Sequence, residues 1–260
     1  MIQKVFYFPQ IFPIFQEAHD FFVNTKKQTT TQHLFTNKQL RTLLVPIMVE
    51  QLLSSLMGTA DTMMVSNVGS AAISAVSLVD AINILVIQAL SALAAGGAIL
   101  CSQYLGSQNL KKAKRSAEQV LFVMLVLSCS LSLLCLIFRF PLLRLIFGTV
   151  DTDVMANSQI YFFFTLLSFP FIGLYDAGAS ILRAQNNTKG PMTISILSNF
   201  LNIGGNAILI FVFGMGVAGA AISTLVSRIF CAIVVIWQLR NPAEQIYVRN
   251  YFSIRPDWSL

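Results

Sequence analysis

Glu50 and Asp61 are carboxylates set inside an apolar run, Leu43 to Val65, that is long enough to cross a bilayer. At about 1.5 Å rise per residue the run spans roughly 34 Å. Glu50 and Asp61 lie eleven residues apart, and at about 100° per residue they return to within roughly 20° of each other around a helix. Ser54 and Gly58 share their face, while Val45, Met48, Leu52, Leu56 and Met63 gather on the other side. A charge at mid-bilayer costs several kcal/mol unless it is paired or hydrated. The polar seam must therefore point into protein or water.

A second seam runs along the stretch PMTISILSNFLNIGGNAILIFVF, where Ser195, Asn199, Asn202 and Asn206 fall within roughly 60° of one another on a helix. Counting about 1.5 Å per residue from the basic end of each apolar run places Asp61 at roughly 27 Å, Thr224 at 24 Å, Asn206 at 22 Å and Asn202 at 16 Å. Four oxygen-bearing side chains from three helices are thus expected to meet in the outer half of the bilayer. A deeper layer holds Glu50 and Asp176, each about 10 Å from the basic end, and Arg228 at about 18 Å. Ion pairing among these three is expected, because a lone Arg at mid-span is costly. Asp80, about 6 Å from the outer end, is expected to reach water.

Two chemistries fit the outer cluster. A carboxylate withdrawn from water can take up and release a proton as a cavity opens to each side. Alternatively, ionised Asp61, the carbonyl oxygens of Asn202 and Asn206 and the Thr224 hydroxyl are hard ligands suited to Na⁺. Either gives a coupling ion, H⁺ or Na⁺, and neither needs a cofactor or a resident metal. No paired His, acidic metal cluster or nucleophile with a base stands at credible spacing, so the chain does not read as an enzyme.

The elements that must position these groups follow from composition. With 55% hydrophobic and 11% charged residues in 260, the sequence is that of an all-α, multi-pass membrane protein expected in the cell membrane. Six apolar segments, 43–66, 76–101, 119–138, 159–182, 191–213 and 217–239, each approach spanning length. Alternate connections collect fourteen of the lysines and arginines against Arg139 and Arg144 on the other side. That bias places both termini in the cytoplasm. The net charge of +6 is therefore a topology signal, and the KKAKR run at 111–115 anchors beside anionic lipid rather than binding nucleic acid. Residues 1–40 read as a cytoplasmic extension, 41–240 as the six-helix lobe, and 241–260 as a cytoplasmic tail or the start of a linker.

The segments PIMVEQLLSSLMGTADTMMVSNVGSAAISAVSL, CSQYLGSQNLKKAKRSAEQ, RAQNNTKGPM and NFLNIGGNAILIFVFGMGVAGAAISTLVSR together resemble the N-terminal lobe of the multidrug and toxic compound extrusion (MATE) family of cation-coupled antiporters. The resemblance runs from about residue 38 to 240. It implies a transporter of two six-helix bundles that exports bulky, often cationic drugs or metabolites in exchange for H⁺ or Na⁺. It also implies that Asp61, Asn202, Asn206 and Thr224 are the cation-coupling set; by their placement Glu50, Ser54, Asn199, Asp176 and Arg228 are the candidates for the substrate pathway, with a structural charge balance as the alternative for the Glu50, Asp176 and Arg228 layer. Many relatives carry a second acid where this chain has Asn206. The chain covers one lobe, so the expected product is the N-terminal half of such a transporter, completed by a second six-helix lobe. A flippase for a lipid-linked saccharide and an inactive transporter remnant are the competing expectations.

Overall fold

The computed structural model describes residues 36–148, 150–242 and 244–248. Residues 1–35 and 249–260, which hold most of the expected extension and tail, lie outside the described residues. The elements are α1 (Asn37–Val65), α2 (Ser70–Gly106), α3 (Leu110–Ile137), α4 (Arg139–Phe147), α5 (Thr152–Ala184), α6 (Lys189–Asn206) and α7 (Gly216–Gln238), with a π-helical continuation of α6 over Ala207–Val212. All but α4 are long and apolar enough to cross a membrane, giving the six spans of a multi-pass membrane protein. The nine-residue α4 was not expected. Its Arg139 guanidinium lies over the rings of Phe140 and Phe163, 4.5 and 5.2 Å from their centroids, so apolar surface carries that charge.

The chain divides into two compact units, Met1–Thr42 and Leu43–Leu260. In the first, the described residues form the opening of α1, where the Thr36 amide donates to Gln39 Oε1 at 2.8 Å. The second is organised around α5, which packs on α2, α3 and α7, while α6 packs on α7. Small residues let these helices close up. A Cβ added at Gly97 of α2 would overlap the Val120 side chain of α3, and one at Gly173 of α5 would meet Ser128 of α3 at 2.6 Å. In the small-residue tract SALAAGG at 91–97, Ala94 joins the core and Gly97 lets α3 approach, while Ala92, Ala95 and Gly96 are exposed. Across the same seam Ser132 Oγ donates to the Leu166 carbonyl at 2.7 Å.

Two apolar cores result. One, at the end carrying Lys111–Arg115, Arg183 and Arg240, joins Ala117, Leu121, Ile181, Leu182, Val235 and Leu239. The other joins Val65, Val76, Phe162, Leu166, Val217 and Ala221 at the opposite end. The first core also takes in Ile246 and Val248, both 0% exposed. Residues 244–248 are therefore a strap folded back on the bundle, not a free tail: Gln185 exchanges two hydrogen bonds with the Ile246 backbone, at 3.1 and 2.7 Å, and Val248 N donates to the Leu239 carbonyl at 2.9 Å.

Helix α1 stands apart from this scheme. Its buried residues are Pro46, Glu50, Asp61 and Val65, whereas Met48, Leu52, Leu56 and Met63 are each more than half exposed. Val65 and Met64 join the second core, and the helix's two acids bond to α5, α6 and α7.

Candidate functional site

Asp61, near the end of α1, is buried against α6 and α7. Asn206 Nδ2 donates to its Oδ1, and Thr224 Oγ1 donates to its Oδ2 at 3.2 Å. Asn202 Nδ2 donates to Thr224 Oγ1 at 3.2 Å, and Asn206 Nδ2 also reaches Asn202 Oδ1 at 3.4 Å. All four expected residues of the outer cluster therefore meet in one buried, water-poor group. Helix geometry places them: Asn202 and Asn206 are one turn apart on α6, and Asn206 is the last α-helical residue before the π segment. A wider turn of that kind re-aims side chains and is frequent where function resides. Ser223 Oγ holds the α6 backbone by donating to the Asn202 carbonyl at 2.8 Å, a contact absent from the sequence reading because serine is so common on spanning helices.

Among the described residues the carboxylate of Asp61 thus has neutral hydrogen-bond partners only. The Asn206 amide and the Thr224 hydroxyl stabilise its charge by hydrogen bonding without cancelling it, and Asn202 acts through Thr224. Meanwhile the Asn206 Oδ1 atom is buried without a partner. A half-turn of that amide would turn its oxygen toward Asp61, giving a carboxylate, two amide oxygens and a hydroxyl around one point. That donor set suits one small cation, or a proton on Asp61, with side chains alone rearranging.

The deeper layer differs from expectation. Glu50 does not pair with Arg228; Arg183 Nη2 forms its ion pair at 2.9 Å, and the Tyr175 hydroxyl donates to the same oxygen at 2.8 Å. Tyr175 OH further contacts Ser195 Oγ at 2.9 Å, joining α1, α5 and α6. Arg183 stands in the last turn of α5, past the apolar run, so the sequence reading counted it as a loop charge. Arg228 donates instead to Ser168 Oγ at 2.6 Å, and lies within electrostatic reach of Asp61, Asp80 and Asp176. It balances several acids at a distance instead of locking onto one.

The remaining candidates scatter. Asp176 Oδ2 is buried without a partner. Asn199 is buried and spends its amide on the Ser195 carbonyl at 2.9 Å. Ser54 and Gly58 are exposed, with nothing within 4 Å of a Cβ at Gly58, so the seam on α1 is covered at its two acids and open between them. Asp80 does not simply reach water: Asn83 and the Tyr161 hydroxyl each donate to it at 3.2 Å. Among the described residues no cluster of His, Cys, Asp or Glu could hold a metal.

The family model described as MatE matches residues 46–208. The uncharacterized transporter YisQ of Bacillus subtilis (strain 168) is 33% identical over 196 residues, 74% of this chain and 42% of YisQ. The probable multidrug resistance protein NorM of Thermotoga maritima is 28% identical over 234 residues, 85% of this chain and 48% of NorM. A solved outward-facing multidrug resistance MATE family transporter of the MOP superfamily superposes with a TM-score of 0.76 at 25% identity, over 85% of this chain and 49% of that one. The chain spans about half the length of the curated relatives it matches.

Proposed function

The chain belongs to the MatE family, and from that premise we propose that it is the cation-coupling lobe of an antiporter that exports small organic cations in exchange for H⁺ or Na⁺. The observation that carries this reading is the setting of Asp61. An acid locked to an arginine would be a structural charge pair; an acid held by Asn206 and Thr224 alone keeps its charge available to an exchangeable ion. Thermotoga NorM, named as a probable multidrug resistance protein, supports the substrate class. So does the excess of acid over base around Arg228 in the lobe interior, which also speaks against a phosphate-binding flippase.

A second six-helix lobe completes the pathway in this proposal. The open stretch of the α1 seam at Ser54 and Gly58 supports it, since a polar strip at mid-span calls for protein or water beside it. The decisive experiment is efflux of a fluorescent organic cation from cells that make this lobe together with its completing lobe. Asp61→Asn should abolish efflux while the amount of protein in the membrane stays unchanged. Efflux equal to that of the unmodified protein would refute the proposal.

A further inference from the structure

At the basic end of the bundle, where α7 stops and the strap begins, lies a cavity of about 470 Å³ lined by Asn187, Trp237, Gln238, Arg240, Asn241 and Glu244. It is far along the chain from Asp61 and shares no residue with the site above. Its position is set by the span: α7 ends at Gln238, so the lining residues stand at the level where a 23-residue apolar helix leaves the hydrocarbon. Trp237 is 72% exposed there, as interfacial tryptophans are at the depth of lipid headgroups.

The chemistry of the wall is zwitterionic. Glu244 Oε1 accepts from Asn187 Nδ2 at 2.7 Å, and Asn187 Oδ1 in turn accepts from the Gly190 amide at 3.0 Å. The carboxylate is therefore held in place by the α5–α6 connection, and its two oxygens have acceptor capacity beyond that single bond. A fixed carboxylate oxygen beside an exposed indole suits an ammonium, which the first neutralises and the ring face attracts. Arg240 adds a guanidinium to the same wall, the group that best matches a phosphodiester. Gln238, whose Oε1 is buried without a partner, lines the same wall, and its amide nitrogen is a second donor type suited to phosphate oxygens.

We propose that this cavity binds the headgroup of an aminophospholipid, with the phosphodiester on Arg240 and Gln238 and the primary ammonium on Glu244 and Trp237. A trimethylammonium headgroup has no N–H to give the Glu244 carboxylate, and a purely anionic headgroup leaves that carboxylate facing negative charge. Bound there, the lipid ties the strap, the α5–α6 connection and the end of α7 to the membrane surface.

Trp237 is itself the reporter. The sequence holds two tryptophans, so Trp258→Phe leaves Trp237 alone. The full chain with that change is reconstituted in phosphatidylcholine bilayers containing equal mole fractions of acyl-brominated phosphatidylethanolamine, phosphatidylglycerol or phosphatidylcholine, and quenching of its fluorescence is measured. The ethanolamine lipid should associate about threefold more strongly than the choline lipid, as for one half-exposed ion pair. Glu244→Gln, which can still accept from Asn187, should erase that preference. Equal quenching by all three lipids overturns the proposal, as does a stronger effect of phosphatidylglycerol, or a preference that Glu244→Gln leaves intact.

Discussion

Glu50 receives a 2.9 Å ion pair from Arg183, whereas Asp61, eleven residues further along the same face of α1, receives only amide and hydroxyl donors. The two acids fasten an otherwise loosely packed helix at points about 16 Å apart, one by charge pairing and one by hydrogen bonds. On the proposed function, only the second is released by exchange of an ion. Removing the Thr224 hydroxyl tests that division. Thr224→Val should weaken coupling-ion affinity by about tenfold, the worth of one hydrogen bond to a charged group, with little change in thermal stability. Ion-dependence curves for transport would show the midpoint shift; an unmoved midpoint would count against Thr224 as a ligand.

The Glu50 contact should behave in the opposite way. Glu50→Ala strips Arg183 of its counter-charge and Tyr175 of its acceptor, and breaking a buried pair from one side is costly. Because the Arg183 side chain is 28% exposed, about 1–3 kcal/mol of destabilisation is expected, less than for a fully buried pair. Thermal unfolding in detergent measures it. A double-mutant cycle with Arg183→Gln should return a coupling of at least about 0.5 kcal/mol.

The outer cluster was legible in the sequence because a spanning helix fixes both the angle and the depth of each side chain. Asp61, Asn202, Asn206 and Thr224 could be placed at a common level before any contact was known, and they do meet. The pairing of Glu50 was not legible. Arg183 and Tyr175 lie 133 and 125 residues away from it, and Arg183 sits beyond an apolar run, where charge counting reads a loop. Equally hidden was the strap, since Ile246 and Val248 are single apolar residues in a polar segment without a period to detect. The six spans were plain, but their ends were not: α2 begins at Ser70 and runs to Gly106, because helical hydrogen bonding continues past the hydrocarbon-length run that hydropathy detects.

On the proposed function, a neutral Asn206 limits the cluster to a change of one charge per cycle. Asn206→Asp would place a second carboxylate against Asp61, and two acids at that distance titrate as a coupled pair. The ratio of coupling ions to substrate should then roughly double. Reversal potentials in proteoliposomes read that ratio directly, and an unchanged value would show that Asp61 and position 206 do not share the transported ion.

Close packing makes a prediction independent of transport. Gly97→Leu would drive a side chain into Val120, and overpacking of this kind costs about 1–3 kcal/mol. Val120→Ala in the same chain should restore much of the loss. Failure of that rescue would mean that α2 and α3 do not approach at Gly97.

The open middle of the α1 seam distinguishes a watery pathway from a lipid-facing surface. Ser54 and Leu56 are both exposed on α1, but Ser54 shares the acid face and Leu56 lies on the apolar one. Lipid surrounds a single lobe on every side, so in isolation neither position should react quickly with a membrane-impermeant thiol reagent when converted to cysteine in a background lacking Cys101, Cys129, Cys135 and Cys231. Once a second lobe encloses the seam, Ser54→Cys should label at least about tenfold faster than Leu56→Cys, because thiolate forms in water and not in hydrocarbon. Excess substrate should slow the Ser54→Cys reaction alone. Equal rates at the two positions in the completed transporter would place the seam outside the pathway, and Asp61 would then exchange its ion with no route for substrate beside it.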